Sequence, residues 1–182
     1  LIAAATDIEA KRKILLHPRF SAAEITVAMG SMAVQFADSG SLPDQVPRVD
    51  VLGPTRSPLV WPEVARVTWS EFVSRVRELL DHVSATGHLP ATLGDELNRT
   101  GVNHLTLAMA QALRSLEDGV VPTTIDLHPI PRYPEIAPEI GRRFLSVAEG
   151  ELIDPDLNPG NLYRHGTLQT WSMKPALFQE QT

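Results

Sequence analysis

The chain contains no cysteine, few aromatic residues and no long apolar run, and each shortage closes off a class of protein. Without Cys there is no disulfide frame and no thiolate chemistry. The compartment stays open, because secreted and cytosolic proteins can both dispense with the residue. No run of about 18 consecutive apolar residues occurs, so no membrane-spanning helix is predicted. Basic residues are also short: 16 Lys and Arg stand against 22 Asp and Glu, for a net charge of −6 and a pI near 5.5. General nucleic-acid binding needs clustered Lys and Arg and is not expected. The six histidines (His17, His82, His88, His104, His128 and His165) contain no H-x-x-x-H pair. Nucleophile-elbow, dinucleotide and Walker motifs are missing as well. No catalytic residue and no cofactor is assigned on this basis, and a binding or structural role is favoured over an enzymatic one.

What the chain does have is a repeat. Residues 21–46 read SAAEITVAMGSMAVQFADSGSLPDQV, and residues 68–93 read TWSEFVSRVRELLDHVSATGHLPATL. A third copy with one deletion, residues 101–125, reads GVNHLTLAMAQALRSLEDGVVPTTI. Adding 47 carries Ile25, Met29, Met32, Ala33 and Phe36 onto Phe72, Val76, Leu79, Leu80 and Val83. Adding a further 33 gives Leu105, Met109, Ala112, Leu113 and Leu116. All fifteen are apolar, and their i, i+4, i+7, i+8, i+11 spacing is one face of an α-helix. Helices are therefore predicted near 22–38, 69–85 and 102–117.

The helix ends follow from the same copies. Ser21 with Glu24 and Thr68 with Glu71 form S/T-x-x-E capping boxes, each preceded by an apolar residue, Phe20 or Val67, placed to staple onto Ile25 or Phe72. Gly40, Gly87 and Gly119 suit the left-handed residue that closes a helix, and Pro43, Pro90 and Pro122 forbid its continuation. The third copy lacks the box, with Asn103 the alternative cap. Elsewhere, a T-x-x-E at Thr6 and Glu9 predicts a first helix over 7–16. Pro138 and Gly150 bracket another at 138–149. Residues 48–51 and 124–127 read as short strands, and the proline-rich stretches 47–62 and 129–138 read as ordered wraps. With 182 residues and 43% apolar content, a real core within one compact domain is expected. The fold class predicted is mostly α: tandem helix–(Gly-x-Leu-Pro)–short extended segment repeats packed into one layer. The helical repeat domain spans 1–150, and 151–182 form an extended C-terminal tail packing on the domain or on a partner. A first residue of Leu1 rather than Met reads as a processed or trimmed product or a piece of something longer.

Residues 76–113, VRELLDHVSATGHLPATLGDELNRTGVNHLTLAMAQAL, place a helix, Gly-x-Leu-Pro, a short extended piece and an apolar helix in that order. This resembles the pseudomurein-binding repeat, a cell-wall-binding unit of archaeal surface proteins and wall-cleaving enzymes. Residues 31–72 follow the same order more loosely. The resemblance implies a non-catalytic module for cell-wall polymer or another glycan, at the cell surface or outside the cell, as part of a larger surface protein. The chain departs from the family after the proline: Pro90-Ala91-Thr92 and Pro43-Asp44-Gln45 replace an aromatic and polar step, on residues placed to face a ligand.

Candidate site residues lie off the repeat stripes. Trp61, Trp69, Tyr133 and Arg132 are the ligand-binding candidates, aromatics for stacking on sugar rings and a guanidinium for hydrogen bonds. The competing role for Trp61 and Trp171 is to cover the ends of the helical stack. Asp154, Asp156 and Asn158 echo the opening of a calcium loop, but Pro159 and His165 stand where Gly and Glu belong. The structural alternative there is Asn158 as the cap of a short helix with Pro159 in its first position. A structural or assembly subunit, using its helical face and aromatic tail against other protein chains, is the second function expected.

Overall fold

The computed structural model describes residues 1–12, 17, 19–60, 63–95, 98–128 and 159–173. The fold is mostly α. In chain order the elements are α1 (Ile2–Lys11), α2 (Ala22–Ser39), β1 (Ala65–Thr68), α3 (Trp69–Thr86), β2 (Thr92–Leu93), β3 (Thr100–Gly101), α4 (Val102–Glu117), β4 (Thr124–Leu127) and α5 (Pro159–Ser172). No helix is long and apolar enough to cross a membrane, among the described residues.

The three repeat helices fall where the stripes put them. Both capping boxes form: Ser21 and Thr68 each accept the backbone N–H of the third helical residue, and Glu24 and Glu71 each accept the cap residue's own N–H. Gly40 and Gly87 close α2 and α3 at φ 75° and 72°, where a side chain would be strained. Thirteen of the fifteen stripe residues are buried in one hydrophobic core, and Phe36 and Leu80 pack against it half-exposed. Helix α2 packs against α3 and α4, α1 lies against α4, and α5 docks on α2. At the centre, Gly30 lets three helices close in. A β-carbon there would lie 3.1 Å from Val76 Cγ1, 3.4 Å from Met109 Sδ and 3.5 Å from a Leu80 methyl. Thr26 and Thr106, which occupy the same place in copies one and three, meet across α2 and α4 with hydroxyls 3.2 Å apart.

Four expectations need correction. The first helix runs over Ile2–Lys11, not 7–16; Thr6 sits inside it, its hydroxyl spent on the Ile2 carbonyl at 3.0 Å, and Arg12 turns left-handed at its end. Residues 48–51 form no strand: Arg48 is drawn to Glu24 and Asp50, and among the described residues no strand lies alongside. Asn103 is not the cap of α4: Gly101 is, without a side-chain bond, and the Ala91 carbonyl accepts the Val102 N–H at 3.2 Å instead. Residues 159–172 are helical rather than extended, with Pro159 leading the helix as the alternative reading of that string has it. The expected strand at 124–127 forms and pairs antiparallel with β1, Val67 opposite Ile125. The helix expected at 138–149 and the wrap at 129–138 lie outside the described residues.

Candidate functional site

The second Gly-x-Leu-Pro step is the most elaborately built surface feature among the described residues. Proline at 90 breaks the chain away from α3, so residues 91–93 run extended and pair back with Thr100 and Gly101. The Glu78 carboxylate, midway along the exposed face of α3, accepts the Gly94 N–H with both oxygens at 3.0 and 3.2 Å and fixes the turn that follows. From the other side Leu52 forms a parallel bridge with His88: its N–H donates to the Gly87 carbonyl and its carbonyl accepts the Leu89 N–H, both at 2.9 Å. His88 Nδ1 lies 3.3 Å from the Gly53 carbonyl. Gly53 is pressed against α5, where an added β-carbon would lie 2.3 Å from that of Trp171, and its N–H donates to Ser172 Oγ at 2.8 Å.

These segments enclose a groove of about 490 Å³. It is lined by Arg56, Glu78, His82, Thr86, His88 and Thr92, together with Pro90 and Ala91. The residues after the proline, singled out by the departure from the pseudomurein-binding pattern, therefore do line a depression. Its chemistry is mixed donors and acceptors with no aromatic platform among the described residues, so any ligand there is held by hydrogen bonds and charge.

A second groove of about 460 Å³ lies between α1, the start of α2 and residues 46–49. It is mainly aliphatic, lined by Leu1, Ala4, Ile8, Ile25 and Val46, with Phe20 at its rim. Arg48 reaches over it, 3.0 Å from the buried Glu24 carboxylate and 5.9 Å from the Phe20 ring centroid. This pair neutralises a carboxylate that the capping box has already drawn into the core.

Of the predicted site residues, Trp61, Arg132, Tyr133, Asp154, Asp156 and Asn158 lie outside the described residues. Trp69 is described and half-buried. Its ring packs on Phe72 at 5.4 Å between centroids and meets Phe36 edge-on at 6.4 Å. It leads α3 with its N–H on the Thr123 carbonyl at 3.0 Å, so much of its indole serves the core. Trp171 is buried at 1% exposure, in keeping with a covering role. No group of three or more His, Asp or Glu residues is arranged to hold a metal ion among the described residues.

Sequence reasoning missed the polar cluster at the head of α4. His104 is wholly buried, its Nδ1 2.7 Å from the His128 carbonyl and its ring also bonded to the Leu59 backbone. Burial pushes its pKa below the usual imidazole value, against those two backbone bonds. Neighbouring Asn103 is equally buried, and neither polar atom of its side chain meets a partner among the described residues. The only signal available was three polar residues, Asn103, His104 and Thr106, at the start of an apolar helix.

No family model, curated protein or solved structure matches the chain.

Proposed function

We propose that the protein is a non-catalytic binding module built from tandem helix–(Gly-x-Leu-Pro)–extended-segment repeats, and that it holds a cell-wall polymer or another glycan. The observation carrying this reading is the groove over the second step, where the residues after Pro90 meet Arg56, His82 and His88. A hydroxyl-rich polymer needs many donors and acceptors at fixed spacing, and this groove supplies them from a rigid floor. The repeat reading is supported by matched bounds and caps in the first two copies and by one hydrophobic interior that takes in all three stripes. The surroundings of the copies differ, since among the described residues only the second exit carries a covering strand.

The test is retention on purified cell-wall material. Replacing Arg56 and His82 together with alanine is expected to reduce retention at least tenfold while leaving the thermal midpoint within about 2 °C, as for exposed residues. Retention unchanged in that variant, and in variants lacking Trp61 or Tyr133, contradicts the proposal. The assembly reading is favoured by exposed Val64, Val120, Val121 and Met173, which are large apolar side chains left in water.

A further inference from the structure

The three helix exits are chemically alike, and among the described residues a strand covers the second alone. At the second, the strand through Leu52 bonds Gly87 and Leu89, and Leu89 beneath it is 1% exposed. At the third, Gly119 has the same left-handed turn, φ 75°, and Pro122 the same place. Yet no backbone hydrogen bond reaches the Gly119 carbonyl or the Val121 N–H among the described residues. Val121, the counterpart of Leu89, is 51% exposed, and Val120 beside it is exposed as well. The short segment between the second and third copies is engaged elsewhere, since Thr100 belongs to β3 and pairs with Leu93.

We propose that the third exit takes an extended segment of another polypeptide as a parallel strand. The central residue of that segment donates its N–H to the Gly119 carbonyl and accepts the Val121 N–H, the bonds Leu52 makes at the second exit. Backbone bonds supply the attachment, and alternate side chains supply the selectivity. The covering strand defines the occupant's chemistry. Val51 is buried, Leu52 is 46% exposed and carries the two bonds, and Gly53 is small because Trp171 lies against it. At the third exit the occupant therefore needs an aliphatic residue before the bonding residue, whose own side chain is free. The proposal rests on the repeat reading above and not on the glycan ligand, so wall retention and peptide binding fail independently.

The experiment titrates a capped peptide of residues 49–54, Val-Asp-Val-Leu-Gly-Pro, into isotope-labelled full chain and follows backbone amide resonances. Saturable shifts at 119–123 are expected. They should weaken at least tenfold when the peptide leucine is N-methylated, and again in Val121→Asp, a surface change that leaves the fold intact. Shifts confined to 87–90, where the peptide would displace the chain's own strand, overturn the proposal. So do shifts at 119–123 that survive both changes, or none at millimolar peptide. Movement of those resonances with protein concentration alone also overturns it, by assigning the exit to a second copy.

Discussion

Helices α3 and α4 carry the same apolar stripe, but they live in different surroundings. Helix α3 buries Phe72, Val73, Val76, Leu79 and Val83 and gives its other side to water, with Ser74, Arg77, Glu78 and Asp81 exposed. Helix α4 is buried on every side from Val102 to Ala110, since α1, α2 and β4 all pack on it. The stripe decides which face points inward; the number of neighbours decides whether any face points outward. Polar residues feel this most: in α3 water satisfies them, whereas in α4 His104 and Thr106 bond to backbone carbonyls and Asn103 has no side-chain partner among the described residues.

The largest effect expected from breaking this contrast comes from residues that share a repeat position off the stripe. Leu107 in α4 is 1% exposed, and its counterpart in α3 is the exposed Ser74. Leu107→Ala should cost about 2–5 kcal/mol in urea unfolding. Ser74→Ala should stay within about 0.5 kcal/mol. Equal costs would mean that α4 is no more enclosed than α3.

Next in size is the acid response of the polar cluster at the head of α4. His104 has a folded pKa lowered by burial, so the unfolded chain takes up the proton first as pH falls through about 6.5. Stability is therefore lost below that point until the folded pKa is reached. Comparing unfolding midpoints between pH 7.5 and 5 should show a steeper fall for the wild type than for His104→Gln, which keeps a donor but cannot titrate. Parallel curves would remove His104 from the account. Exposed α3 offers no such group: Glu71, whose pKa the Thr68 bonds lower, acts in the usual carboxylate range and below.

The smallest effects come from the caps. Ser21→Ala and Thr68→Ala each remove the cap bond to the third helical N–H, worth about 1 kcal/mol, and Thr68→Ala also removes solvent-exposed contacts to Ser70 and the Glu71 carboxylate. Ser21 is 1% exposed whereas Thr68 is open to solvent, so water replaces the lost partner only at Thr68. Ser21→Ala should cost the more in chemical unfolding, and the reverse order would show that burial does not govern these caps.

The parts of the fold legible in the sequence are those set by local chemistry. Ser21 with Glu24, Thr68 with Glu71, and the glycines at 40 and 87 fix helix ends by bonds reaching three or four residues, so their spacing was enough. The start of α4 was not legible, because its partner is the Ala91 carbonyl, brought there by a hairpin between β2 and β3. The T-x-x-E at Thr6 misled for the same reason: α1 begins earlier because Ala5 and Ile8 bury against the core. Residues 48–51 alternate like a strand, but no edge pairs with them among the described residues, and Arg48 answers Glu24 instead. Of the candidate site, the residues after Pro90 were found by their departure from a pattern. Arg56 and His82, distant in sequence, join them only through the fold.

The central claim is that the three stripes share one interior around Gly30. Methyl-labelled valine and methionine in a nuclear Overhauser experiment test it directly, because Val76 Cγ1 and Met109 Sδ both lie within about 3.4 Å of one point beside that glycine. Cross-peaks from the Gly30 α-protons to methyls of both Val76 and Met109 are predicted, with exposed Met173 showing none. Cross-peaks to only one of the two helices, or to neither, would contradict it.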